Sequence, residues 1–166
     1  MATGSQISVA EYLSTVYRPD CDYVDGEVVE RNVGEYDHGR LQMAVSGWFY
    51  LRRKELGLHV VPELRLQVAP RRYRIPDLCV ILGPEPTEQV PTSPPFICVE
   101  ILSPDDRMAG MQERIDDLLR FGVPYLWLID PRTRKAWRCT AEGMLEVKEL
   151  RTETPAITVP VAELFE

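Results

Sequence analysis

The run Tyr125-Leu126-Trp127-Leu128-Ile129 is apolar at nearly every atom it presents, so a strand built from it has no face to give to water. A strand buried on both sides lies in the middle of its sheet, with structure packed over both faces. Asp130-Pro131 closes the run as a turn. Just upstream, Asp105 to Phe121 sets Met108, Met111, Ile115, Leu118 and Leu119 at three- and four-residue spacing and stops at Gly122-Val123-Pro124, which predicts an amphipathic helix. Phe96 to Leu102, before that helix, is another short apolar run. Strand, helix and central strand in succession predict an α/β fold: a mixed β-sheet flanked by helices.

The rest of the chain fits this frame. Ser8-Val9-Ala10-Glu11 is a capping box that opens a short helix to about Val16. Asp22 to Arg31 alternates around Asp25-Gly26, a pair that tolerates positive φ and predicts a tight hairpin. Asp37 to Leu56 repeats Leu41, Ala44, Val45, Trp48 and Phe49 at helical spacing, with Gly57 as its stop. Leu58–Val61, Glu63–Val68 and Ile75–Leu82 read as strands. Between Gly83 and Pro95 five prolines exclude regular structure and predict one surface loop. Near the end, Lys135–Cys139 and Leu145–Leu150 are expected to pair across Ala141–Gly143, with Val161–Phe165 as a last helical turn.

A length of 166 residues without repeat or linker predicts one domain, residues 1–166. The longest apolar runs are far short of the roughly 20 residues that cross a bilayer. Arg18 is the first basic residue and no apolar run follows Met1, so a cytoplasmic protein with no membrane partner is expected. Cys21, Cys79, Cys98 and Cys139 lack metal-site spacing and read as small buried apolar side chains. A net charge of −7 argues against attraction of the whole surface to nucleic acid. Arg52, Arg53, Lys54, Arg65, Arg71, Arg72 and Arg74 against Glu55 and Glu63 nevertheless leave +5 on one stretch, a candidate basic face or else a solvated helix end and charged turn.

Two acids stand where acids are unfavourable. Asp77 follows Pro76 at the head of Leu78-Cys79-Val80, and Glu100 sits inside Cys98-Val99-Glu100-Ile101-Leu102. A buried charge costs several kcal/mol unless paired or metal-bound. The proline loop makes the two strands neighbours, so the carboxylates meet and repel, and a proton, an arginine or a divalent cation has to compensate them. Oxygen-only ligands suit Mg²⁺ or Mn²⁺. The alternative is structural: Asp77 caps a turn and Glu100 pairs with a nearby arginine.

The order IPDLCVI, PPFICVEILSPDDR and RFGVPYLWLIDPRTRKAW, with DYVDGEVVE and the DHGRL opening of the first long helix, resembles the bacterial Uma family of restriction-endonuclease-like proteins in the PD-(D/E)XK nuclease superfamily. The resemblance spans roughly Ser8 to Phe165. It implies a restriction-endonuclease-like fold, with Asp77 as the acid of the PD element and Glu100 as that of the (D/E)XK element, both on metal, and with the Ile101 backbone carbonyl as a further ligand. Leu102 stands where the superfamily has its lysine. In the Uma family that lysine moves to the next helix, eight residues before the glycine, where this chain has Arg114. Guanidinium stays charged, so Arg114 suits holding a phosphate oxygen and not acting as a base. An ion pair to Asp117 or to a site carboxylate is the other reading.

His38, with Asp37 before it, matches the opening of the first long helix that contributes to the site in related nucleases. The plain reading is that Asp37 caps the helix and His38 stays partly exposed. Glu63 is a candidate third carboxylate or a strand-edge residue.

These residues lead to a Mg²⁺-dependent phosphodiester hydrolase acting on DNA, with Asp77, Glu100, Arg114 and His38 at its centre and the Arg52–Arg74 stretch on the phosphate backbone. A nuclease-fold protein that has lost catalysis and binds DNA or a protein partner is the alternative, and a purely structural ion pair a third. A two-fold homodimer would suit cutting both strands.

Overall fold

The computed structural model describes residues 6–32 and 34–166. Ser8 caps α1 (Val9–Ser14), its hydroxyl accepting from the Glu11 N–H at 3.1 Å. Asp25 and Gly26, at φ 50° and 105°, turn β1 (Cys21–Val24) into β2 (Glu27–Glu30). The long α2 (Tyr36–Leu56) ends where Gly57 takes a left-handed φ of 66°. Then come β3 (Leu58–Pro62), β4 (Leu66–Ala69), β5 (Arg72–Arg74), β6 (Leu78–Leu82), β7 (Ile97–Ile101), α3 (Met108–Phe121), β8 (Tyr125–Asp130), β9 (Lys135–Thr140), β10 (Gly143–Val147), β11 (Glu149–Glu153) and β12 (Ala156–Pro160). A 3₁₀ turn, Val161–Phe165, closes the sequence of elements.

The largest sheet has the order β10-β9-β8-β7-β6-β3. As the apolar run requires, β8 is interior, parallel to β7 and antiparallel to β9. The crossover between the parallel pair is α3, and every other pairing in this sheet is antiparallel. Alternation divides the core. Leu78, Val80, Val99, Ile101, Trp127 and Ile129 pack with Leu41, Val45 and Phe49 of α2. Cys79, Cys98, Leu126, Leu128 and Cys139 pack with Met111, Ile115 and Leu118 of α3. Each such buried side chain contributes roughly 1.5–3 kcal/mol. All four cysteines are buried and free, as expected, and the Cys79 and Cys98 sulfurs lie 3.9 Å apart.

A second sheet, β2-β1-β5-β4, carries a cluster of Tyr12, Tyr23 and Tyr73. The reading of the basic stretch as a solvated helix end and a charged turn holds for Arg71, which lies in a turn after Pro70, but Arg72–Arg74 form strand β5. Tyr73 and Arg74 are buried there, because Arg74 meets acids inside the fold. Glu63 is not in a strand: it sits at φ 51° after β3, and β4 begins only at Leu66. The helix expected from Asp105 begins at Met108. The expected Leu145–Leu150 strand is two strands, β10 and β11, and β11 turns back into β12 as its own hairpin. Thr152 disguised that hairpin's alternation, since its buried hydroxyl donates to Pro155 O at 2.6 Å and accepts from Ile157 N at 3.2 Å. Among the described residues, no helix is long and apolar enough to cross a membrane.

Candidate active site

Leu78 of β6 pairs with Val99 of β7. Asp77 immediately precedes β6 and Glu100 is the fourth residue of β7, so the neighbouring strands bring the two acids to the same end of the sheet. Glu100 is itself aligned with Leu128, so it faces α3. Both acids are buried, Asp77 4% and Glu100 1% exposed. The two strands are neighbours as the proline loop required, and β6 begins at Leu78, one residue after Asp77.

Each carboxylate is compensated by cations. Asp77 Oδ1 accepts from Arg31 Nη2 at 3.0 Å and lies 3.4 Å from His38 Nε2, while Oδ2 accepts from the Ile101 N–H at 2.7 Å. Gln42 Nε2 donates to the Asp77 carbonyl at 2.9 Å. Both oxygens of Glu100 are held by a single nitrogen, Arg114 Nη2, at 2.9 and 3.1 Å, and the same nitrogen donates to Ile75 O at 3.2 Å. The packing of Met111, Ile115 and Leu118 sets α3 over the sheet and brings Arg114 to Glu100. Of the two ion-pair readings of Arg114, the structure shows the one to a site carboxylate; Asp117 instead pairs with Arg72 and Arg74.

The electrostatics follow from burial and proximity. Burial pushes the Glu100 carboxyl up to about 8; the Arg114 charge opposes this and Asp77 adds to it. Burial works on Asp77 in the same direction, but the His38 hydrogen bond and the charges of His38, Arg114 and Arg31 hold it below its ordinary value. His38 is raised by its bond to Asp77, against desolvation, so the pair favours imidazolium facing carboxylate.

Asp77, Glu100, Arg114 and His38 therefore converge. His38 is buried, not partly exposed, and Asp37 is not the helix cap: Glu35 holds that position without a side-chain bond. The exposed Glu63 reaches the rim only, 4.0 Å from Arg31 Nη1. Arg31 and Gln42 were missed. Arg31 ends the predicted hairpin and Gln42 lies on the predicted helix, but no local pattern marks either as facing Asp77. The basic stretch does not form one face. Arg72 is drawn to Asp25 and Asp117, Arg74 to Asp22 and Asp117, Arg52 lies over Trp48, and Arg53 over Tyr50.

Near the two acids lies a cavity of about 210 Å³ lined by Arg31, Arg74, Arg107 and Arg114 together with the acids Asp22, Glu30, Asp105, Asp106 and Glu113. The buried Nε atoms of Arg31 and Arg114 have no hydrogen-bond acceptor among the described residues. Leaving such donors unmatched is costly, and Arg114 Nε has the Asp22 carboxylate 3.6 Å away, within ion-pair range. The acids offer a hard cation two carboxylates, and this all-oxygen donor chemistry fits Mg²⁺ or Mn²⁺. Among the described residues no group of three or more His, Cys, Asp or Glu side chains is arranged to hold a metal ion.

No curated protein matches the chain. A solved structure described as "a putative nuclease belonging to DUF820", from Anabaena variabilis ATCC 29413, is similar to it with a TM-score of 0.80 and 18% identity, over 96% of this chain and 97% of that one. At that identity the likeness establishes the shared fold. A family model described as "Putative restriction endonuclease" matches residues 9–166, nearly the whole length over which the buried acids, their arginines and the central sheet are built, and the chain belongs to that family, Uma2.

Proposed function

We propose that this chain is a metal-dependent phosphodiester hydrolase acting on DNA, with Asp77, Glu100 and the Ile101 carbonyl as the ligands of Mg²⁺ or Mn²⁺. The observation that carries the reading is the pair of buried carboxylates, met by Arg31, His38 and Arg114, near a cavity that Arg31 and Arg114 help to line. A divalent cation held by these acids supplies Lewis acidity and a more acidic bound water. Arg114 stays charged at every working pH, so it donates to a phosphate oxygen and takes no proton. Arg31 and His38 keep Asp77 ionised, and the Ile101 N–H fixes its orientation.

Calorimetric titration of Mg²⁺ and Mn²⁺ into the wild type and into Glu100→Ala tests the ligand set. Saturable binding that Glu100→Ala removes is expected; no binding to the wild type, or equal binding to both, counts against it.

One observation favours a second reading, a nuclease-fold protein that binds DNA or a protein partner without cutting. Arg114 already occupies both Glu100 oxygens, and Leu102 stands in place of the superfamily lysine. Metal binding and DNA binding without turnover would select that reading.

A further inference from the structure

The outward face of α2 is apolar where a solvent-facing helix is ordinarily polar. Opposite the buried Leu41, Val45 and Phe49, the residues Tyr36, Met43 and Tyr50 recur at seven-residue spacing and are 82%, 72% and 54% exposed, with Leu51 beside them at 81%. Gly39 and Gly47 lie on the same face. A Cβ added at either would meet nothing within 4 Å, so no contact among the described residues calls for glycine there. Glycine inside a helix is unfavourable relative to alanine. Here it leaves the backbone open to close approach between large side chains.

Charge indicates the occupant. The helix begins with Glu35 and Asp37 and carries Arg53 and Lys54 in its last turn, ahead of Glu55, so its first-turn acids are complementary to the last-turn bases of a reversed copy. Centred between Met43 and Gly47, an antiparallel copy sets Met43 over Gly47, Leu51 over Gly39, and Lys54 beside Tyr36 with its flanking acids. The stripe from Tyr36 to Lys54 runs about 27 Å at the helical rise. A nucleic acid fits it poorly, since Tyr36, Met43, Tyr50 and Leu51 dominate it, with Arg40, Lys54 and the Arg53 that lies over Tyr50 as its cations. From this match we infer that α2 is a self-association surface, pairing antiparallel with α2 of a second copy about a two-fold axis. His38 is on the opposite side of the helix, facing Asp77, so the pairing leaves the candidate active site uncovered.

Sedimentation velocity of the whole chain over a concentration series tests the surface independently of any nuclease activity. The wild type is expected to be a reversible dimer. Gly47→Leu fills the gap without a clash inside the monomer and should weaken the dimer at least about tenfold while thermal melting shows an intact fold. Lys54→Glu should weaken it as well, and adding Glu35→Lys and Asp37→Lys should restore it. A wild type that stays monomeric up to about 0.1 mM, or a dimer that neither Gly47→Leu nor Lys54→Glu changes, overturns the proposal. Weakening by Lys54→Glu without rescue by the double reversal overturns the antiparallel arrangement.

Discussion

Two clusters of buried acids and arginines lie side by side in this molecule, and they are built differently. In the first, Arg74 spreads its guanidinium between two acids: Nε donates to Asp117 Oδ2 at 2.8 Å and Nη1 to Asp22 Oδ2 at 3.1 Å. Asp22 also accepts from the Ile75 N–H at 3.1 Å, and Arg72 adds two bonds to Asp117. This cluster ties β5 to β1 and α3. In the second cluster Asp77 and Glu100 come from neighbouring strands near enough for the Asp77 charge to act on Glu100, and one nitrogen of Arg114 serves both Glu100 oxygens. There the Glu100 carboxyl is pushed up by burial and by Asp77. Acids alternating with bases hold a fold together; two acids set against each other keep a capacity for further ligands.

The sharpest way to break this contrast is Arg74→Leu. It strips both Asp22 and Asp117 of a main partner in the interior, and a loss of roughly 3–5 kcal/mol is expected, a fall in Tm on the order of 10 °C. Thermal melting measures it, and a change under about 1 kcal/mol would remove the structural role given to this cluster.

The second test uses pH. The folded protein holds the Glu100 proton to about 8, whereas the unfolded chain releases it near 4.5, so without divalent ions stability falls as pH rises through that window. His38 acts in the same sense above its ordinary 6.5, because its folded form is raised. Asp77 acts in the opposite sense and only in acid, its contribution being lost as pH drops below its ordinary 3.8. Melting at pH 5 to 8 should show a decline on the order of 2 kcal/mol that Glu100→Gln flattens. Equal slopes in both proteins would remove Glu100 as its source.

Smallest of all should be Arg114→Lys. A single Arg114 nitrogen makes the Glu100 contacts, and an ammonium can replace one nitrogen, so a cost of about 1 kcal/mol or less is expected. Arg74→Lys, which loses a forked contact to two acids, should cost about twice that. Parallel melts of the two variants rank them, and the reverse order would show that the clusters have been assigned the wrong way round.

The central fold was legible because burial writes itself into apolar runs. Tyr125–Ile129, the α3 spacing and the Asp25-Gly26 turn all became the elements expected of them. Asp77 and Glu100 were legible for the complementary reason, as charges inside apolar strands. What stayed hidden was satisfied polarity. Arg72–Arg74 looks like a solvated turn until Asp22 and Asp117 are seen to meet it, and Thr152 breaks the β11 alternation while being buried. Arg31 and Gln42 reach Asp77 across 46 and 35 residues of chain, and no local pattern encodes a contact at that separation.

The central claim is that the opposed pair, Asp77 and Glu100, carries metal-dependent phosphodiester hydrolysis. Single-turnover cleavage of labelled plasmid and single-stranded DNA by the wild type and by Glu100→Gln, each with Mg²⁺, Mn²⁺ or chelator, measures it most directly. Cleavage by the wild type that requires the metal and disappears in Glu100→Gln is the predicted result. No cleavage by the wild type with either metal, or cleavage that Glu100→Gln retains in full, would contradict it.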